Sequence, residues 1–187
     1  FVNAPKWRKW VQQTIRWSAE KNEPVIIVDK LAHRCHVYRN GVKTAEFPVE
    51  LGPNWLGHKR QRGDGATPEG LYHVKRKKSG HRTAYYKALE INYPNAEDVA
   101  QFRAAQARGD IARNAGIGGL IEVHGDGGKG ANWTAGCVAL RNRDMDTLYS
   151  MVGEGTPVTI VGSLRGISTA YSENSAAPDG KGQNTAK

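Results

Sequence analysis

"VIIVDKLAHRCHVYRNGVKTAEFPVEL", residues 25–51, sets the texture of the chain. "VIIVD" (25–29) is a short apolar run of strand length. "HRCHVYR" (33–39) alternates apolar and polar residues, as a strand with one buried face does. Asn40-Gly41 follows, a hairpin turn that needs positive φ at both positions, and "VKTAEFPVEL" (42–51) continues as the returning strand. Outward from this hairpin the same texture recurs in "GLYHVKRK" (70–77), "YKALEIN" (86–92), "GLIEVHG" (119–125) and "TPVTIVG" (156–162). Short strands at this spacing predict a mainly β fold, a sandwich or barrel-like core with a few helices.

Three helices are expected around that core. Residues 3–21 place Trp7, Trp10, Val11, Thr14, Ile15, Trp17 and Ser18 near helical spacing, with Asn3 as cap and Pro5 in the first turn. This N-terminal amphipathic helix (1–22) is basic. It is expected to dock its tryptophan face on its own domain, the rival being an anionic membrane surface. Residues 96–108, capped by Asn95 and stopped by Gly109, form with the glycine-rich "GDIARNAGIGG" (109–119) a lid-like insertion over about 93–119. Residues 143–152, following Asn142 and ending at Gly153, carry Met145, Leu148, Tyr149 and Val152 on one face. The catalytic domain is predicted over 23–163, and 164–187 reads as a flexible tail poor in residues to bury.

Composition bounds the function. The 187 residues are 39% hydrophobic and 24% charged, with a net charge of +9. That is a globular chain with a core and a cationic surface suited to anionic partners. No apolar run approaches the roughly 18 residues of a membrane span. No secretory leader is visible, and the opening "FVNAPKWRKW" lacks an initiator Met, so the start says little about compartment. The basic clusters "GHKRQRG" (57–63) and "HVKRKKSGHR" (73–82) come without any nucleic-acid motif, so nucleic acid is not an expected partner. They read as a solvated cationic hairpin or as a contact for an anionic wall or lipid surface.

Only Cys35 and Cys137 are present, which is no disulfide framework, although one bridge between them is possible on paper. His33 and His36 flank Cys35, but in a strand His36 points away from the other two. No metal site is expected, and Cys35 reads as a packed thiol.

The chemistry concentrates in "EVHGDGGKGANWTAGCVALRN" (122–142). In a strand, Glu122 and His124 face one way and Ile121 and Val123 the other. His124 and Cys137 lie 13 positions apart, and the mostly glycine and small residues between them are enough loop to bring the thiol back to the strand end. A thiol needs a base to become a thiolate at neutral pH, and a Cys–His pair is the simplest acyl-transfer unit. Gly136 allows close backbone approach, and the N–H groups of Gly136 and Cys137 are candidate oxyanion donors.

Here the sequence resembles the L,D-transpeptidase catalytic domain, the YkuD-type family. The resemblance rests on His124-Gly125, on Thr134-Ala135-Gly136-Cys137, and on Thr67-Pro68-Glu69-Gly70-Leu71-Tyr72 upstream, and runs from about Val25 to Gly162. It implies a periplasmic or cell-envelope enzyme, expected as a monomer, that acts on peptidoglycan stem peptides without a cofactor. Cys137 would be the nucleophile and His124 the base. The Gly125 carbonyl would orient the imidazole, and Gly136 would belong to the oxyanion hole. The acyl group would pass to an amine or, in an L,D-carboxypeptidase or amide hydrolase, to water. The rival from another class is a non-catalytic wall-binding module. Many members carry Arg or Asn two residues after the cysteine, where this chain has Ala139. Arg141 and Asn142 are the nearest candidates for that contact with substrate. Thr134, Trp133 and Glu122 complete the set of candidate substrate-binding residues.

Overall fold

The computed structural model describes residues 3–171. Eight strands form one sheet: β1 (Val25–Asp29), β2 (Arg34–Arg39), β3 (Val42–Pro48), β4 (Gly70–Ser79), β5 (Lys87–Ile91), β6 (Glu122–His124), β7 (Val138–Ala139) and β8 (Pro157–Val161). Their order is β3-β2-β1-β8-β4-β5-β6-β7. The helices are α1 (Ala4–Lys21), α2 (Ala96–Arg108) and α3 (Asn142–Met151). The mainly β expectation holds, and the sheet curls until its two edges meet. Just past β3, the Glu50 N–H donates to the Ala139 carbonyl at 2.9 Å, and the Ala139 N–H donates back at 2.8 Å.

The curl follows from how the strands are covered. Ile26 and Val28 of β1, Tyr72, Leu89, Val123 and Ile160 face the interior cluster. Val25 and Ile27 face outward, where α1 covers them with Trp7, Trp10, Val11 and Ile15. β1 is therefore buried on both faces, which is why its sequence is a continuous apolar run instead of an alternation. The tryptophan helix docks on its own domain as expected. The Asn40-Gly41 turn has φ of 51° and 72°, the geometry of a two-residue hairpin.

Several local expectations need correction. Asn3 makes no side-chain capping bond. α3 begins at Asn142 itself and ends at Met151, with Val152 in extended conformation as its C-cap instead of Gly153. β3 stops at Pro48, because the following residues leave β2 to bridge β7. β6 keeps only three residues of the seven predicted, since Leu120 before it turns at a φ of 54°. Asn95 does cap α2, in a reciprocal capping box with Asp98. Of the segment read as tail, Leu164 and Ile167 pack against the α1 cluster. Residues 172–187 lie outside those described.

The basic clusters are partly spent inside the fold rather than solvated. Lys77 donates to the Tyr149 and Val152 carbonyls at 2.6 and 2.8 Å, closing the end of α3. Lys78 bridges Glu90 and Glu122 at 2.5 and 2.8 Å. Lys59 is buried on Asp64 at 2.7 Å, and Asp64 also accepts the backbone N–H groups of Arg60, Gln61 and Ala66. Buried Lys30 reaches the Gly57 and Thr67 carbonyls and Glu69. Lys30 and Lys59 thus fix the 52–69 loop, whose Ala66 lies against Gly136.

Candidate functional site

Neighbouring parallel strands position the two key side chains. β6 ends at His124 and β7 begins just after Cys137, with Val123 opposite Val138 and His124 opposite Ala139. The loop between them returns as its length allows, and it ends in a turn that only glycine tolerates. Gly136 has φ of 126°, and a Cβ there would lie 2.6 Å from the Ala66 carbonyl oxygen of the 52–69 loop. Thr134 latches this turn. Its hydroxyl donates to the Cys137 carbonyl at 2.7 Å and accepts the Gly136 N–H at 3.3 Å. The Gly136 N–H is thus held by Thr134 in this state.

His124 is wholly buried. Its Nδ1 lies 2.6 Å from the Gly125 carbonyl oxygen. A carbonyl can only accept, so Nδ1 carries the proton and Nε2 the lone pair. Nε2 is buried without any hydrogen-bond partner. An orphaned acceptor of this kind costs about 1–3 kcal/mol, and such atoms mark places where something else is meant to bind or react. Tyr85 stacks flat on the imidazole, with centroids 3.5 Å apart and planes 9° apart. Trp133 meets its edge at 5.8 Å.

The Cys137 thiol is also mostly covered. Its Sγ accepts from the Glu122 N–H at 3.4 Å and contacts the Leu120 carbonyl at 3.7 Å. Burial pushes this thiol up to about 11, against a smaller opposing effect of the Glu122 N–H bond. Burial likewise holds the His124 imidazole below its ordinary value, with the Gly125 bond working the other way. Desolvation therefore favours the uncharged form of both groups, a thiol and a neutral imidazole on neighbouring segments of the sheet.

The remaining candidates divide. Trp133 flanks His124, and its Nε1–H donates to Glu50 at 2.8 Å. Arg141 lines a cavity of about 380 Å³ together with Ala139 and Glu50. Asn142 instead braces the turn after His124. Its Oδ1 accepts the Asp126 N–H at 2.6 Å and would lie 2.6 Å from a Cβ at Gly125. Glu122 is buried on Lys78, so its carboxylate is engaged inside the fold. Cys35 sits in the core as a free thiol, pushed up to about 12 by burial.

Sequence reasoning missed Tyr85 and Glu50. Tyr85 belongs to the irregular stretch before β5, where no periodicity assigns a direction. Glu50 came as the end of a predicted strand and meets the site only because the sheet edges join.

A curled β-sheet with a histidine at the end of one strand and a cysteine just before its parallel neighbour defines the class. The family model for the L,D-transpeptidase catalytic domain, YkuD, matches residues 23–160. The chain belongs to that family. It is 32% identical over 97 residues to the YafK protein of Escherichia coli K12, an alignment that takes in 52% of this chain and 32% of YafK. It superposes on Bd1075 of Bdellovibrio bacteriovorus with a TM-score of 0.56 and 26% identity, over 77% of this chain and 50% of that one. Against a variant of the helical cell shape determining protein Pgp2 of Campylobacter jejuni the TM-score is 0.56 and the identity 27%, over 76% and 48%. The matched region thus spans about a third of YafK and half of each solved chain.

Proposed function

We propose that the chain is a cysteine acyltransferase of the cell envelope that acts on peptidoglycan stem peptides, with Cys137 as nucleophile and His124 as base. The observation that carries this is the orphaned Nε2 of His124. It is a buried lone pair whose tautomer is fixed by Gly125, on the strand next to the thiol.

The thiol proton passes to Nε2 as Sγ attacks the carbonyl carbon of the stem's third residue. The tetrahedral oxyanion that forms is stabilised by the backbone N–H of Cys137, joined by that of Gly136 if the long bond to Thr134 yields. The imidazolium returns its proton to the leaving nitrogen, the carbon–nitrogen bond breaks, and the terminal D-alanine departs. This leaves a thioester on Sγ. An acceptor amine attacks the thioester, gives its proton to His124 and regenerates the thiol. Water in place of the amine makes the same site an L,D-carboxypeptidase. The segment over about 93–119 is proposed as a lid, since the residue that directly follows it, Leu120, offers its carbonyl to Sγ at 3.7 Å. The exposed lysines and arginines of α1 and β4 are proposed to favour an anionic wall or membrane surface.

The test is incubation of the chain with disaccharide tetrapeptides, read by mass spectrometry. Crosslinked or amine-exchanged products are expected for transfer and free tripeptides for hydrolysis. Cys137→Ala should abolish both. A Cys137→Ala protein with undiminished turnover would overturn the proposal, and turnover by neither protein would favour a binding module.

A further inference from the structure

β4, β5 and β6 carry a charged cluster on the same sheet face as His124. Lys78 is paired with Ala88 and Ala88 with His124, so the three form one row across the strands. The middle member, Ala88, contributes only a methyl. Glu90 and Glu122 are paired in the next row. The Lys78 ammonium reaches both, lying 2.5 Å from Glu90 Oε2 and 2.8 Å from Glu122 Oε1.

The cluster is buried, with the side chains of Lys78, Glu90 and Glu122 only 14%, 7% and 10% exposed. Taking three charges out of water is costly, and apolar side chains would cover this face at least as well. Stability alone therefore does not call for the cluster. Its neighbour supplies another reason. The Glu122 N–H donates to Cys137 Sγ at 3.4 Å, so this carboxylate belongs to the residue that touches the thiol. Among the described residues Lys78 is the sole cation paired with Glu122, whereas Glu90 also meets Lys75 at 3.4 Å and Arg76 at 3.9 Å. Burial works to lower the Lys78 ammonium, but its bonds to Glu122 and Glu90 outweigh that and hold it above its ordinary value. Lys78 is therefore charged throughout the neutral range.

We propose that Lys78 is a positioning residue for the Cys137–His124 pair, one that holds the Glu122 carboxylate and cancels its negative charge beside the thiol. This role deepens the acyl-transfer reading above and rests on it for the use made of the thiol.

Charges of both signs face the pair. On the thiol, burial is the largest influence and pushes it up; the Glu122 N–H opposes burial, the Glu122 carboxylate adds to it, and Lys59 and Lys78 oppose it. Lys59 is already spent on Asp64, which leaves Lys78 to offset Glu122. On the imidazole, burial again leads and lowers it; the Gly125 bond, Glu122 and Asp126 raise it, and Lys129 lowers it. Tyr85 also faces the imidazole and the thiol. A Glu122 carboxylate left without its cation would disfavour the thiolate, which is the nucleophile.

The test is alkylation of Cys137 by iodoacetamide from pH 7 to 10, followed on its own peptide by mass spectrometry, so that no substrate is needed. Cys35, wholly buried in the core, reports on folding in the same sample, since it reacts only when the core opens. Lys78→Met should move the Cys137 profile to higher pH, at least about threefold slower at pH 8, and adding Glu122→Gln should return it. Glu122→Gln alone should move the profile to lower pH, and Lys78→Arg should stay near the parent protein. An unmoved profile in Lys78→Met with Cys35 still protected overturns the role. So does a shift that persists after Glu122→Gln is added. If Cys35 reacts in Lys78→Met, the fold has opened and Glu122→Gln alone decides: faster alkylation of Cys137 supports the role, and an unchanged profile overturns it. The expected shifts in a protein that turns over no muropeptides sink the acyl-transfer reading alone. Turnover with unmoved profiles sinks the role of Lys78 alone.

Discussion

Tyr85 lies flat on His124 at 3.5 Å and helps make the imidazole fully buried. Burial is the main cause of the lowered imidazole value, so removing the ring should raise it toward the ordinary range. Tyr85→Phe keeps the stack and should hold the rate within about twofold. Tyr85→Ala loses roughly 0.5–1.5 kcal/mol of ring packing, a cost of about two- to tenfold if it falls on the transition state. The acidic limb of the pH–rate profile should also move to higher pH in the alanine variant alone. An unmoved limb would mean that Tyr85 does not control the base. At Gly136 the constraint is backbone. Gly136→Ala meets the Ala66 oxygen at 2.6 Å in a left-handed conformation, so a loss of about 1–3 kcal/mol in chemical unfolding is expected. A stability equal to the parent protein would show that the turn relaxes freely.

At the scale of elements, α1 is structural cover for the sheet. Trp7, Trp10, Val11 and Ile15 bury the outer side of β1 and its neighbours, and the Trp7 ring fills the space above Gly162. Trp10→Ala should cost about 3–5 kcal/mol, measured as a fall in the denaturant midpoint with little change in slope. A cost under about 1 kcal/mol would mean that the helix is an appendage and would free its tryptophan face for another surface. This element was legible in the sequence because its apolar residues recur at helical spacing. What spacing left open was the partner, and the two-sided burial of the VIIV run supplies it. The lysine clusters were misjudged for a related reason. Lysine is usually solvated, and nothing in "HVKRKK" indicates that Lys77 and Lys78 lie over the end of α3 and between two glutamates.

Over the whole molecule, the titration of buried groups sets a pH window for stability. His36, His58 and His124 are all held below their ordinary value, chiefly by burial. The unfolded chain then binds more protons than the fold as pH drops below about 6.5. Stability is complete above that value and falls as pH descends toward the folded values, with Asp98, raised by burial, opposing the trend further down. The thiols act on the alkaline side. Cys35 and Cys137 are pushed up to about 12 and about 11, so stability falls as pH rises past the unfolded thiol value of about 8.5. Guanidinium midpoints at pH 5, 7.5 and 10 should be highest at 7.5. Equal midpoints at all three would refute this account.

The sequence by itself determined seven of the eight strands (not the two-residue β7), the three helices, and a histidine and a cysteine at the two ends of a glycine-rich return. Each is a local pattern, readable from periodicity, turn chemistry and spacing. Only the tertiary structure decided what surrounds that pair. Tyr85, Glu50 and the opening beside Ala139 come together because the sheet curls until Glu50 meets Ala139. Edge-to-edge closure is a non-local hydrogen-bonding event that no window of sequence contains.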